Sequence, residues 1–153
     1  MFKHILIPTD GSDLSNEAVE AGVRLAKALG ARVTGYFAAP APTPVVYSDF
    51  LPVGYMPPEE HARLIEEAAQ RYLSVVENAA SKAGVACEVV HTTNEYPADA
   101  ILEIANQKGC DVIFIASHGH RGRRGPLLGS ETQKVANEAT IPVVIYRVEA
   151  AKP

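Results

Sequence analysis

No apolar run in this 153-residue sequence approaches the roughly 20 residues that cross a bilayer, so no transmembrane helix is expected. A basic excess is missing too: 14 Lys and Arg stand against 18 Asp and Glu, a formal net charge of -4. That balance gives no broad footprint for nucleic acid or an anionic membrane, although a local basic cluster can still hold one small anion. Cysteine is scarce. Cys87 and Cys110 form no Cys-x-x-Cys pair, and both are read as buried thiols in a reducing compartment. The run Phe2-Lys3-His4-Ile5-Leu6 is strand-like from its start, which leaves no room for a signal peptide and places the chain in the cytoplasm. Neither internal repeats nor low-complexity tracts are found.

What is present is an ordinary globular composition, 47% hydrophobic and 21% charged, sized for one domain over residues 1–153. His4 to Pro8 is a short apolar run of the kind buried on both faces of a parallel sheet. Ala18, Gly22, Leu25, Ala26 and Leu29 then share a helical face that stops at Gly30. A second strand is expected over Ala31 to Ala39, followed by a Pro- and Tyr-rich loop from Pro40 to Pro58. Ile65, Ala69, Tyr72, Val76, Ala79 and Ala83 stripe a long helix ended by Gly84. Val85 to His91, Asp111 to Ala116 and Ile141 to Val148 read as three more strands. Helices from Pro97 to Lys108 and from Ser130 to Ala139 separate them. Strand and helix alternate throughout, which predicts an α/β protein with a parallel five-stranded sheet and helices on both faces.

In such a sheet, ligands bind beyond the carboxyl ends of the strands. Two loops at such ends carry unusual chemistry. Asp10-Gly11-Ser12 follows the first strand, with Asp10 read either as a ligand contact or as a turn residue satisfied by the amides after it. After the fourth strand, Gly119, Gly122, Gly125 and Gly129 allow the backbone to approach a ligand closely. Gly129-Ser130 opens a helix, and Ser130 with Gln133 has capping-box spacing. Free amides at a helix N-terminus attract phosphate, and Arg121, Arg123 and Arg124 can add charge-assisted contacts. The plainer alternative is a mobile surface loop before an ordinary cap. Neither Gly-x-x-x-x-Gly-Lys-Ser/Thr nor a Gly-x-Gly-x-x-Gly after the first strand is present, which excludes the Walker and standard dinucleotide sites. His118 and His120 flank Gly119 without a Cys, Asp or Glu cluster, so no metal is expected there, nor a general base without a nucleophile to activate.

The stretch Ala116-Ser117-His118-Gly119, nine residues, then Gly129-Ser130 resembles the Gly-x-x-Gly, nine residues, Gly-Ser/Thr motif of the universal stress protein family. Pro8-Thr9-Asp10-Gly11-Ser12 and Ile141-Pro142-Val143-Val144-Ile145 match that family's first-strand exit and last strand, so the resemblance covers nearly the whole chain. It implies an adenine nucleotide α-hydrolase-like sheet of order 3-2-1-4-5 and ATP as ligand, with AMP or ADP as alternatives and Mg2+ left open. It implies a site drawn from Pro8, Thr9, Asp10, Phe37, Ala116, His118, Gly119, Arg121, Gly122, Gly129, Ser130, Glu131 and Thr132. Within that set Asp10 would meet the ribose, Gly119, Gly129 and Ser130 the phosphates, and Phe37 the adenine. One departure from the motif is Ala116, which replaces its first glycine and sets a methyl group toward the ribose. The resemblance also puts the apolar fifth strand at a sheet edge, where a homodimer is expected.

The function expected is an ATP-binding stress-response sensor or switch, not primarily an enzyme. No residue set is visible that would position a water and stabilise phosphoryl transfer. The alternative is a dimeric interaction scaffold with little nucleotide affinity. An adenylating enzyme would need Ser-Gly-Gly-x-Asp-Ser at the first strand, and a receiver domain an Asp and a Lys at the third and fifth strand exits. Tyr47, Phe50 and Tyr55 are candidates to cover the nucleotide or pack on their own domain.

Overall fold

A computed structural model describes residues 1–41, 56–119 and 127–148 of the chain. Among the described residues nine elements alternate: β1 (His4–Pro8), α1 (Asp13–Leu29), β2 (Arg32–Ala39), α2 (Pro58–Ala83), β3 (Cys87–Thr93), α3 (Pro97–Gln107), β4 (Val112–Ala116), α4 (Ser130–Glu138) and β5 (Val143–Tyr146). The strands form one parallel sheet of order β3-β2-β1-β4-β5. The expected order is therefore the observed one, with β1 at the centre.

Helices cover both faces because the strands alternate their side chains between them. Ile5 and Ile7 point with Val33, Val112 and Phe114 into a core closed by Val19 and Val23 of α1 and Val76 of α2. Leu6, Tyr36, Ile113 and Ile115 point the other way, onto Ile101 and Ile104 of α3 and Val135 of α4. At about 25 cal/mol per Å² of apolar surface, this two-sided burial is the main term holding the sheet together.

α1 seats on the sheet at Gly22, where an added Cβ would stand 2.8 Å from Ile7 Cδ1 and 3.0 Å from Phe114 Cδ1. That close approach rotates the buried stripe to Ser15, Ala18, Val19, Gly22, Val23 and Ala26. Of the expected face, Ala18, Gly22 and Ala26 are buried and Leu25 packs partly buried against the core, whereas Leu29 is exposed and is corrected. Gly30 and Gly84 do end their helices in left-handed geometry, but the residue after each still belongs to the helix end. Ala31 N–H donates to Ala26 and Val85 N–H to Ala80, so β2 starts at Arg32 and β3 at Cys87. β5 is also shorter than expected, ending at Tyr146, whose carbonyl accepts from Ser117 as β4 gives out.

Cys110 is buried, and burial pushes its thiol up to about 11. Cys87 is exposed on the outer strand β3, which corrects the reading of both thiols as buried. Among the described residues, no helix is long and apolar enough to cross a membrane.

Candidate nucleotide-binding site

A cleft of about 820 Å³ opens beyond the carboxyl ends of β1, β2 and β4. It brings together Pro8, Thr9, Asp10, Phe37, Ala116, His118, Gly119, Gly129, Ser130, Glu131 and Thr132. Arg121 and Gly122 lie outside the described residues, as do His120, Arg123, Arg124, Tyr47, Phe50 and Tyr55.

The β1 exit is wound tightly by its own hydroxyls. Thr9 Oγ1 accepts from Gly11 N–H at 3.1 Å and bonds Ser15 Oγ at 3.0 Å. Ser12 caps α1, its Oγ accepting from Ser15 N–H at 3.2 Å. Asp10 Oδ1 accepts from Ser12 N–H at 3.0 Å, the turn role proposed as one reading of this residue. Oδ2 turns toward the β4 exit: a Cβ built on Gly119 would lie 2.2 Å from it. The carboxylate thus sits between two strand exits while lining the cleft.

The segment after β4 returns to its own foot. Gly129 N–H donates to the Ser117 carbonyl at 2.8 Å, and Thr132 Oγ1 to the Ala116 carbonyl at 2.7 Å. His118 bonds on both sides: Nδ1 to Ser117 Oγ at 3.0 Å, and Nε2 to the Leu127 carbonyl. A carbonyl can only accept, so Nε2 carries a proton. The imidazole is therefore a tie between the two ends of the loop.

α4 begins at Ser130, and its N-cap is Gly129, with φ -60° and ψ 154° and no side-chain cap. The capping box expected from Ser130 and Gln133 is corrected: an N-cap needs the extended backbone that Gly129 has, while Ser130 already sits in the first turn. Among the described residues no side chain caps this terminus, and it opens on the cleft. A Cβ on Gly129 would stand 3.2 Å from the Ser117 carbonyl oxygen. Ala116 is buried, and its methyl belongs to the core on the α1 face.

The opposite wall is apolar. Phe37, 6% exposed, meets Tyr72 edge to face with ring centroids 5.1 Å apart. Tyr72 also covers Gly11, where a Cβ would be 2.3 Å from its ring. The sequence presents Tyr72 only as one member of a helical stripe. No spacing rule marks it as a cleft residue, because its role depends on where α2 lands on the β1 exit. Asn94 and Glu95, before α3, complete the rim and likewise carry no motif.

Comparison with known proteins agrees with this architecture. Universal stress protein YxiE of Bacillus subtilis is 34% identical over 150 residues, spanning 96% of this chain and 100% of that protein. Universal stress protein MJ0531 of Methanocaldococcus jannaschii is 31% identical over 153 residues, spanning 96% and 83%. Three solved structures share the fold at lower identity. One is a universal stress protein in complex with cAMP (TM-score 0.67, 22% identity, covering 95% and 97% of the two chains). A second is the universal stress protein from Archaeoglobus fulgidus in complex with dAMP (0.64, 19%, covering 96% and 98%). The third is a universal stress protein family protein from Arabidopsis thaliana with AMP bound (0.68, 15%, covering 97% and 93%). With the universal stress protein family profile matching residues 1–147 as well, the chain belongs to the universal stress protein family.

Proposed function

We propose that this chain binds an adenine nucleotide in the cleft, ATP foremost, and acts as a cytoplasmic stress-response sensor or switch through occupancy of that site. The observation that carries the reading is the N-terminus of α4, which faces the cleft without a side-chain cap. Exposed first-turn amides and the helix dipole together favour phosphate. Asp10 stands across from them for the ribose hydroxyls, and the apolar wall around Phe37 and Tyr72 suits a purine face. The solved relatives described with cAMP, dAMP and AMP support an adenine ligand of this class.

The test is the nucleotide content of purified protein, chromatographed after denaturation, followed by calorimetric titration with ATP, ADP, AMP and GTP. Released adenine nucleotide, or tighter binding of ATP than GTP, is expected. Protein that releases none and gives no heat with any adenine nucleotide overturns the reading. Turnover is not part of the proposal.

The same reading includes a homodimer through β5, an edge strand of the sheet. Its apolar residues Val143 to Tyr146 offer backbone groups that a two-fold copy can pair.

A further inference from the structure

We propose that Glu131 is the positioning residue of the phosphate cradle and sets its preference for phosphate charge; this rests on the nucleotide reading above. α3 lacks the means to cap itself. Its N-cap is Tyr96, which makes no side-chain cap bond, and its first residue is Pro97, which has no N–H. The first backbone donor of that helix is therefore Ala98 N–H, and it is Glu131 Oε2 of α4 that accepts from it, at 2.8 Å. One helix thus caps the other across a sequence separation of 33 residues. Lys134, one turn further along α4, reinforces the joint by meeting Asp99 Oδ1 at 3.1 Å and standing 5.9 Å from the Tyr96 ring centroid.

The consequence for the cleft follows from position. Glu131 adjoins Ser130 in the first turn of α4, and both line the cleft, as does Pro97 at the start of α3. Anchoring Glu131 on α3 fixes the direction in which the first-turn amides of α4 point. The anchor also settles an electrostatic conflict. A carboxylate beside a phosphate site repels its ligand, but this one is turned onto the positive end of α3. Its remaining field acts more strongly on three phosphates than on one, so it narrows the advantage of ATP over AMP without reversing it.

Two variants separate the roles. Glu131→Gln keeps an acceptor for Ala98 N–H and removes the charge, whereas Glu131→Ala removes both. Titration at low salt with ATP, AMP and adenosine is the main readout, and hydrogen exchange at Ala98 and Ser130 to Thr132 is the second. Glu131→Ala is expected to weaken AMP about tenfold and ATP by less, to spare adenosine, and to speed exchange at those amides. Glu131→Gln is expected to restore AMP affinity and raise the ATP-to-AMP affinity ratio severalfold. Equal weakening by both variants would make Glu131 a direct ligand contact and overturn the proposal, as would unchanged affinity and exchange in Glu131→Ala. Wild-type protein that binds no adenine nucleotide would overturn the functional reading first, and the cradle role with it.

Discussion

Asp10 and Gly119 share one place: the carboxylate oxygen Oδ2 stands 2.2 Å from where a Gly119 side chain would begin. Gly119→Ala therefore has to push the Asp10 carboxylate aside, together with the bond its other oxygen accepts from Ser12 N–H. We expect at least a tenfold loss of adenine nucleotide affinity. A fall in stability of about 1 kcal/mol, the worth of one hydrogen bond, should accompany it. Titration alongside urea unfolding checks both. Unchanged ATP affinity in the alanine variant would remove Asp10 from the ligand site.

The α4 terminus supplies a contrasting pair. Gly129→Val places a branched side chain where Cβ alone would already be 3.2 Å from the Ser117 carbonyl, at the neck of the loop. Phosphate binding should be abolished while the sheet remains folded, as read by titration and circular dichroism. Ser130→Ala should leave stability within about 0.5 kcal/mol, because Ser130 is not the cap and no capping bond is lost.

Acid stability should depend on His4. Burial, with Arg32 adding to it, pushes this imidazole below its usual 6.5. Its Nε2 bonds Thr34 Oγ1 at 2.6 Å, and Nδ1 has no hydrogen-bond partner among the described residues. The unfolded chain then takes up a proton near pH 6.5 that the folded chain resists. The stability contributed by neutral His4 is complete above that pH and lost as pH falls through and below it. Urea midpoints at pH 7.5 and 5.0 should show the drop, and His4→Leu should reduce it. An equal drop in both proteins would assign the effect elsewhere.

Dimerisation has a directional test in β5. The carbonyls of Pro142 and Tyr146 accept from Ile113 and Ser117 on the β4 side. Parallel strands alternate direction residue by residue, so the Val144 backbone faces β4 as well, whereas Val143 and Ile145 face the open edge. Ile145→Pro should give a folded monomer by light scattering, while Val144→Pro should destabilise the sheet itself. A dimer that survives Ile145→Pro lies on another surface.

How far the sequence alone reached follows the range of the forces involved. Alternating apolar runs and Gly30, Gly84 and Gly129 mark elements through local geometry, so the nine elements were legible with ends off by a few residues. The strand order came with the family resemblance, not with any local pattern. Cys87 was misread because its type suggests burial, and only the position of β3 at the edge exposes it. Ser130 was misread because its side chain suits an N-cap, whereas the backbone at Gly129 decides where the helix starts. Tyr72, Asn94 and Glu95 joined the cleft through the packing of α2 and α3, which no short window of sequence encodes.

A central β1 also has a consequence during synthesis. Its β2 side can pair once residue 39 has emerged, but its other side waits for β4, more than 100 residues after Ile5. Until then Ile5, Leu6 and Ile7, all fully buried in the finished protein, leave one ribbon edge open on the ribosome. Asp111, whose carboxylate accepts from the Lys3 and His4 amides at 2.8 and 3.0 Å, arrives just ahead of β4 and marks its register. Nascent chains stalled before that point should be the ones that chaperones hold.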